Sequence, residues 1–173
     1  MISAGDLKKI SVLLFDADGT LTDGRIAFNR DGSTVKFFNI RDFHWLKLAR
    51  RAGLKTGIIS GRDDDSTRIF AAEADMDFIF CGIKNKAEFF REFIAANNIE
   101  PDTVLYMGDD VVDMPVMRMA GVAVAVNDAV PEVFECCHRR TRAASGNGAA
   151  REIIREVLQA KGLLNQIMER YRQ

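Results

Sequence analysis

The sequence predicts an α/β domain built on a doubly wound, mainly parallel sheet. Short apolar runs rich in strand-forming residues alternate with segments that carry apolar residues at helical spacing, as in βαβ units. The chain has 173 residues, of which 47% are hydrophobic, so it fits a single domain spanning residues 1–173. Because a polar loop follows each predicted strand, we expect the polar groups of successive loops to meet at one edge of the sheet.

The predicted strands and helices alternate along the chain. Each strand is an apolar run that ends at a polar loop: Ser11–Asp16, Lys55–Ser60, Asp77–Phe80, Thr103–Gly108 and Val122–Val126. Each helix between them has apolar residues three and four positions apart: Phe43–Ala52, Asp64–Ala74, Lys84–Asn97 and Met114–Met119. Residues 148–173 form a tail that is predicted to be helical, after a glycine-rich segment at 145–148.

Residues 25–39 interrupt this alternation after the first strand. Phe28 precedes the turn sequence Asn-Arg-Asp-Gly, and Val35 and Phe37 follow it at period two, which predicts a β-hairpin insertion. Phe28 and Phe37 would be costly to expose in a monomer. The hairpin therefore predicts an interface between subunits.

Composition argues against several classes of partner. The net charge is −1, with 24 Lys and Arg against 25 Asp and Glu, so neither nucleic acid nor a membrane surface is expected to bind. Cys81, Cys136 and Cys137 are odd in number and lack metal-ligand spacing, and no signal peptide or spanning segment is evident. We expect reduced thiols and a cytoplasmic location. The basic run at 138–142 is expected to be solvated.

The first predicted strand ends in a pair of carboxylates. Asp16 and Asp18 lie one residue apart behind Val12–Phe15, and Gly19 allows a sharp turn. Such a pair can bind a hard divalent cation and leave an oxygen free for nucleophilic attack. Alone, such a pair is more often a solvated loop or a helix N-cap pair than a catalytic site. Its position at a strand end favours phosphoryl transfer through an aspartyl phosphate.

Two later loops supply groups that bind anions. Ser60, Gly61 and Arg62 follow the second strand, where a hydroxyl group, a flexible backbone and a guanidinium group can face a phosphate. Lys86 begins a helix after the third strand, where its ammonium group and the positive helix end can stabilise developing charge. Singly, Ser60 fits a turn and Lys86 a solvated surface. Together at strand ends they fill the roles that the reaction needs.

A dense acidic cluster follows the fourth strand. Asp109, Asp110 and Asp113 come directly after Val104–Met107 and would complete a cation site with Asp16. Acidic residues near a helix N-terminus are also favoured by the helix dipole. Direct metal contact by Asp110 and Asp113 therefore stays open.

These motifs resemble those of the haloacid dehalogenase-like phosphatases, namely Asp-x-Asp, a Ser or Thr, a Lys, and Gly-Asp-x-x-x-Asp. The resemblance implies that superfamily's Rossmann-like fold and a Mg²⁺ cofactor. It makes Asp16 the nucleophile and Asp18 the general acid and then the general base. The implied site residues are, as catalytic groups, Asp16, Asp18, Ser60 and Lys86; as substrate-binding groups, Gly61, Arg62 and Lys86; as metal ligands, Asp16, the backbone carbonyl of Asp18, and Asp109; and, behind these ligands, Asp110 and Asp113.

A closer resemblance covers nearly the whole chain. Residues 18–24, the hairpin, and residues 59–62, 107–110 and 146–152 resemble the small branch without a cap domain. That branch includes the phosphatase of 3-deoxy-D-manno-octulosonate 8-phosphate and relatives acting on nine-carbon sugar-acid phosphates. The resemblance implies a sugar-acid phosphate substrate and a homotetramer in which hairpins build a central barrel, neighbouring subunits cover each pocket, and the glycine-rich tail closes it.

Three positions bear on the choice of sugar. Arg62 matches the octulosonate enzymes and favours the eight-carbon substrate, whose product enters lipopolysaccharide biosynthesis. Phe70 stands where the branch carries an Arg-Ala pair, and Phe43 replaces a glycine, which predicts a bulky ring near the pocket mouth. A nine-carbon substrate or a broader range of phosphosugars stays open.

Two other function classes fit parts of the pattern. A signalling receiver domain also forms an aspartyl phosphate, but its phosphoacceptor should follow a central strand well into the chain, where this chain has Ser60. A binding protein with an inactive site is the other alternative. The intact pair of Asp16 and Asp18 argues against it.

Overall fold

The structure, a computed structural model, describes residues 3–172. Its strands are β1 (Val12–Phe15), β2 (Ala27–Phe28), β3 (Thr34–Val35), β4 (Lys55–Ile59), β5 (Phe78–Phe80), β6 (Val104–Gly108), β7 (Val122–Ala125) and β8 (Arg139–Arg140). Its α-helices are α1 (Ala4–Lys9), α2 (Ile40–Arg51), α3 (Asp65–Glu73), α4 (Lys86–Ala96), α5 (Met114–Met117), α6 (Ala149–Ala160) and α7 (Leu164–Glu169). Within residues 3–172, no helix has the length and apolarity needed to cross a membrane.

The main sheet has six parallel strands in the order β5-β4-β1-β6-β7-β8. β1 lies at its centre, where Phe15 is opposite Ile58 of β4 and Met107 of β6. Parallel strands end at the same edge of a sheet, so Asp16 emerges beside the loops that follow β4 and β6. The predicted doubly wound α/β fold is confirmed.

β1 is part of the hydrophobic core, in keeping with its central position. All four residues of β1 are buried, as expected for a strand covered by helices on both faces of a parallel sheet. The core is continuous from Leu7 in α1 to Leu158 in α6. The apolar stripe of α6 packs on α2, with Ile153 and Ile154 buried.

The hairpin insertion consists of β2 and β3, which pair antiparallel. Phe28 is 69% exposed and Phe37 is 68% exposed, so the hairpin carries an apolar outer face. The next ring along, Phe38, points inward and stacks on Phe70 of α3 with ring centroids 4.0 Å apart. The hairpin therefore lies against the domain with one face and leaves the other uncovered in this chain.

The basic run at 138–142 is largely exposed, as expected, with His138, Arg140 and Arg142 at the surface, but it also contributes to the sheet. Arg139 and Arg140 form the edge strand β8, which pairs with β7. The ring nitrogen Nδ1 of His138 accepts a hydrogen bond from the backbone of Ala123 at 2.9 Å, and the Arg139 side chain pairs with Glu156 of α6 at 2.6 Å. Charged side chains are common on edge strands because they discourage pairing with other chains.

Candidate active site

The polar loops at the carboxyl edge of the sheet surround a cavity of about 670 Å³. Its walls come from the loops after β1, β4, β5 and β6. Among the residues that line it are Asp16, Asp18, Ser60, Arg62, Lys86 and Asp110. The fold therefore brings together groups that are far apart in the sequence.

Asp16 is buried directly after the central strand. Its backbone N–H donates to Met107 of β6 at 2.9 Å, which fixes the residue at the sheet edge. Its carboxylate pairs with the ammonium group of Lys86. Burial, followed by the negative charge of Asp113, raises the pKa of Asp16 to about 7 in the absence of metal, although Lys86 opposes the shift.

Lys86 stands at the first position of α4, where Asn85 caps the helix. Its buried ammonium group donates to Asp16 and, at 2.8 Å, to Asp113 Oδ1. Burial by itself would lower the pKa of Lys86, but the two carboxylates outweigh it and the pKa is raised. The side chain is thus held as a cation beside the predicted nucleophile.

Asp113 lies beneath Asp16 and Lys86 and binds the Lys86 ammonium group. Its carboxylate is fully buried and accepts from Lys86 Nζ, from the Tyr106 hydroxyl at 2.7 Å, and from the backbone N–H groups of Asp109 at 3.0 Å and Asp110 at 3.3 Å. Both oxygens are therefore engaged within the protein. This arrangement favours a supporting role for Asp113 over that of a metal ligand.

Asp109 completes an acidic triad with Asp16 and Asp113. Oxygen atoms from these three carboxylates lie within 4.8 Å of one another. Thr20 donates to Asp109 Oδ1 at 2.8 Å. Burial, followed by the charge of Asp16, raises the pKa of Asp109 to about 8. In residues 3–172, the ion pairs made by this triad all come from Lys86, so a divalent cation would balance the remaining negative charge.

Gly19 makes the approach of the Asp109 side chain possible. A Cβ atom at Gly19 would lie 2.2 Å from Asp109 Oδ2, and the backbone of Gly19 has a φ of +87°. Only glycine tolerates both conditions. The loop after β1 therefore needs this residue for the acidic triad to form.

The structure does not bring Asp110 into the triad. Asp110 is exposed at the cavity wall, and its Oδ1 accepts from the backbone of Val111 at 2.6 Å. Its backbone, not its side chain, contacts the carboxylate of Asp113. Of the two acids left open by the sequence, Asp110 faces solvent and Asp113 lies beneath the site.

Ser60 and its neighbours form the opposite wall. The buried Ser60 is fixed by its backbone, which donates to Phe80 at 2.8 Å and accepts from Ile83 at 2.9 Å. The ammonium group of Lys84 donates to the carbonyl of Gly61 at 2.8 Å. Lys84, which belongs to none of the motifs and was not predicted as a site residue, adds a cation to this wall of the cavity.

Asp18 lies at the rim between two cations. Arg62 Nε is 3.4 Å from Asp18 Oδ2, and Lys36 Nζ is 2.7 Å from Asp18 Oδ1. Sequence reasoning missed Lys36. The signal was the period-two alternation of the hairpin: where Val35 and Phe37 face outward, Lys36 must face inward.

Phe43, which was expected near the pocket mouth, lies elsewhere. The rings of Phe43 and Phe70 pack edge to face with their centroids 5.8 Å apart, and they form a cluster with Phe38. Neither ring is among the residues that line the cavity, so the placement predicted for Phe43 was wrong for the single chain. An aromatic cluster removes more apolar surface from water than a ring at a polar rim would.

Asp42 is a third residue that the motifs did not indicate. Its buried carboxylate, on α2, accepts from the backbone N–H groups of Gly148 at 3.1 Å and Arg151 at 2.6 Å. Burial raises the pKa of Asp42, against these hydrogen bonds. Gly146 in turn donates to the carbonyl of Thr20 at 3.1 Å, so the tail contacts the loop that follows β1.

Comparison with known proteins identifies the family of this chain. A family model described as haloacid dehalogenase-like hydrolase matches residues 79–153. The 3-deoxy-D-manno-octulosonate 8-phosphate phosphatase KdsC of Escherichia coli is 35% identical over 92% of this chain and 85% of its own length. The chain belongs to the haloacid dehalogenase-like hydrolases. Membership of this family decides against the receiver domain.

Solved structures extend the comparison. A probable YrbI family phosphatase from Pseudomonas syringae superimposes with a TM-score of 0.95 at 36% identity, covering 98% of this chain and 97% of that one. The 3-deoxy-D-manno-octulosonate 8-phosphate phosphatase from Moraxella catarrhalis has a TM-score of 0.94 at 27% identity, covering 97% of each chain. That crystal structure is a complex with a magnesium ion, a phosphate ion and KDO.

Proposed function

We propose that this chain is a Mg²⁺-dependent phosphatase that hydrolyses a sugar-acid phosphate monoester through an aspartyl-phosphate intermediate. One observation carries the proposal: a buried carboxylate, Asp16, is paired with Lys86 and faces a cavity lined by Ser60 and Arg62. Phosphoryl transfer requires an in-line nucleophile and neutralisation of the phosphate oxygens. Asp16 supplies the first, and Lys86 and Ser60 contribute to the second.

The reaction proceeds in two displacements. Asp16 attacks phosphorus and the bond between phosphorus and the sugar oxygen breaks, while Asp18 gives its proton to that oxygen. Asp18 then takes a proton from a water molecule, whose oxygen attacks the phosphorus of the aspartyl phosphate. The bond to Asp16 breaks, and inorganic phosphate leaves with Asp16 and protonated Asp18 restored.

The acidic triad fits a magnesium ion. Asp16, Asp109 and the backbone carbonyl of Asp18 would hold it, and Asp113 would support these groups from beneath through Lys86 and the backbone of Asp109. Oxygen donors with excess negative charge are the environment that Mg²⁺ prefers. The bound ion would supply a positive charge that neutralises both the nucleophile and the phosphate.

The favoured substrate is 3-deoxy-D-manno-octulosonate 8-phosphate. The Escherichia coli relative carries that name, and Arg62 at the cavity rim offers a guanidinium group to a sugar carboxylate. With this substrate, the product would be the sugar acid used in lipopolysaccharide biosynthesis. A nine-carbon sugar-acid 9-phosphate is the main alternative, because Phe70 stands in place of the branch's Arg-Ala pair.

The proposal includes assembly into a homotetramer through the hairpins. Phe28 and Phe37 are exposed on the outer face, and Ile40 at the start of α2 is also exposed. An apolar face of this kind, next to an open cavity, fits a contact with a second copy. A neighbouring subunit would then cover the pocket that this chain leaves open.

A phosphate-release panel tests the proposed reaction. The panel holds eight- and nine-carbon keto-acid phosphates, hexose phosphates and nucleotides, each assayed with Mg²⁺ and with chelator. We expect Mg²⁺-dependent release with the octulosonate phosphate preferred. Asp16→Asn should abolish turnover and keep the fold, because an amide is a poor nucleophile and a poor metal ligand.

Asp102→Asn is the matched control, since Asp102 is an exposed carboxylate outside the cavity. Its activity should equal that of the unaltered protein. If the activity of Asp16→Asn is near that level, the assignment of Asp16 as the nucleophile is refuted. Equal rates on the whole panel would replace the sugar-acid assignment with that of a general phosphatase.

A further inference from the structure

We propose that Lys36, on the hairpin, is a positioning residue that orients the carboxylate of Asp18 for proton transfer, an inference that rests on the proposed function. Lys36 follows β3 and belongs to none of the four motifs that carry the family resemblance. Its ammonium group nevertheless lies 2.7 Å from Asp18 Oδ1. The hairpin therefore reaches into the active site through this one side chain.

Burial makes the Lys36 contact specific. The side chain of Lys36 is 0% exposed, so its ammonium group depends on protein partners in place of water. It donates to Asp64 Oδ2 at 2.6 Å and to the Thr67 hydroxyl at 3.1 Å. Asp18 Oδ1 is the third partner of the ammonium group, as an ion pair at 2.7 Å.

The other two partners of Lys36 belong to the N-terminus of α3. Asp64 is the N-cap of α3, and its Oδ1 accepts from the backbone N–H of Thr67 at 3.0 Å. Thr67 is fully buried. Lys36 is therefore fixed from the helix, and Asp18 is the partner that it holds at the cavity rim.

The two oxygens of Asp18 face different surroundings. Oδ1 points to the buried Lys36, whereas Oδ2 points to Arg62, whose side chain is 46% exposed and lines the cavity. The Asp18 side chain itself is 24% exposed. Oδ2 is thus the oxygen placed to exchange a proton with a substrate. Without Lys36, the carboxylate keeps only the half-exposed Arg62 as a charged partner and is less firmly oriented, whereas proton transfer requires a donor within about 3 Å of the departing oxygen.

The segment 35–37 of the hairpin joins this contact to the outer face. Val35 and Phe37 flank Lys36 in sequence and are exposed on the opposite side. A second copy packed on those residues would hold the hairpin, and with it Lys36, in place. Assembly and proton transfer would then depend on one two-sided segment.

The test compares substrates whose leaving groups differ in their need for a proton. The departing oxygen of a sugar phosphate needs one, whereas p-nitrophenolate and acetate do not. We measure kcat/KM, which reports the steps up to phosphoryl transfer to Asp16, for 3-deoxy-D-manno-octulosonate 8-phosphate, p-nitrophenyl phosphate and acetyl phosphate. Lys36→Met should lose about 10- to 100-fold on the sugar phosphate and under about 3-fold on the other two, because general acid catalysis contributes at least that much.

A second variant guards against misfolding. Lys36→Met leaves Asp64 buried without its cation, whereas Lys36→Met with Asp64→Asn leaves no unpaired charge there and keeps an N-cap residue on α3. The double variant should show the same dependence on the leaving group. Lys161→Met is the matched control, since Lys161 donates to the carbonyls of Lys8 at 2.7 Å and Ile10 at 2.8 Å, away from the cavity.

Two failures are distinguishable. If the unaltered protein releases phosphate from no monoester, the proposed function is wrong. If it does so and the double variant loses the same factor on all three substrates, Lys36 is only structural and the inference is overturned. A loss confined to the sugar phosphate, absent from Lys161→Met, supports it.

Discussion

Replacing Asp113 by Asn is the sharpest test of how the site is held together. The carboxylate of Asp113 accepts four hydrogen bonds, from Lys86, Tyr106 and two backbone N–H groups. An amide offers one oxygen and one NH₂ group, so in either orientation its nitrogen meets donors. The substitution also removes one of the two negative charges that pair with the buried Lys86.

The expected cost follows from these contacts. Breaking a buried ion pair by removing one partner costs about 3–5 kcal/mol. Lys86 keeps Asp16, which reduces that cost, whereas each buried donor left unsatisfied adds about 1–3 kcal/mol. Relief of the repulsion between Asp113 and Asp16 acts in the opposite direction. We expect a net loss of about 3 kcal/mol, equivalent to a fall in Tm of about 6–12 °C for a domain of this size.

Thermal unfolding followed by circular dichroism in chelator measures this cost without metal. Asp110→Asn is the matched control, because Asp110 is exposed and should change Tm by less than about 2 °C. Asp113→Asn within that same margin would refute the view that Asp113 holds Lys86 and the loop after β6 in place.

Three further predictions concern metal, tail and assembly. The pKa values of Asp16 (about 7) and Asp109 (about 8) are raised, so the metal-free fold binds protons more tightly than the unfolded chain and loses stability as the pH rises through these two values. Mg²⁺ should restore this stability, with a gain in Tm that grows from about pH 6 to pH 9. A gain in Tm that does not depend on pH would contradict the assignment of these carboxylates as metal ligands. Asp42→Ala should lower stability by about 1–3 kcal/mol, because it leaves buried N–H donors of the tail unpaired, and should speed hydrogen exchange there; unchanged exchange would show that the tail is held by other contacts. Phe28→Ser with Phe37→Ser should yield monomers in analytical ultracentrifugation if the hairpins assemble the protein, and an unaltered mass would exclude that interface.

Much of the site could be predicted from the sequence because a parallel sheet imposes the geometry. Once the strands are assigned, their carboxyl ends must meet at one edge, so Asp16, Ser60, Lys86 and Asp109 are brought together whatever the details of packing. The hairpin could be predicted equally well, from the period-two alternation of its apolar residues. The positions of these elements depend on local patterns of apolar residues, which a sequence displays directly.

The rest depends on contacts between segments that share no pattern. Lys36 meets Asp18 only because the hairpin folds back over α3, and Asp42 meets the tail only because α2 and α6 pack together. The edge strand β8 has two basic residues and no apolar run. Phe43 shows the limit of reasoning by position, since its ring joins an aromatic cluster away from the cavity.

The central position of β1 has a consequence for how the molecule folds. Val12 pairs with Lys55 on one side and with Val104 on the other. Contacts between distant parts of the chain must pay a large loop-closure entropy before they contribute stability, so folding slows as they accumulate. A nascent chain that ends before β6 holds Asp16 but neither Asp109 nor Asp113. The three carboxylates of the acidic triad repel one another without a cation. They therefore come together only after most of the chain is available to enclose them.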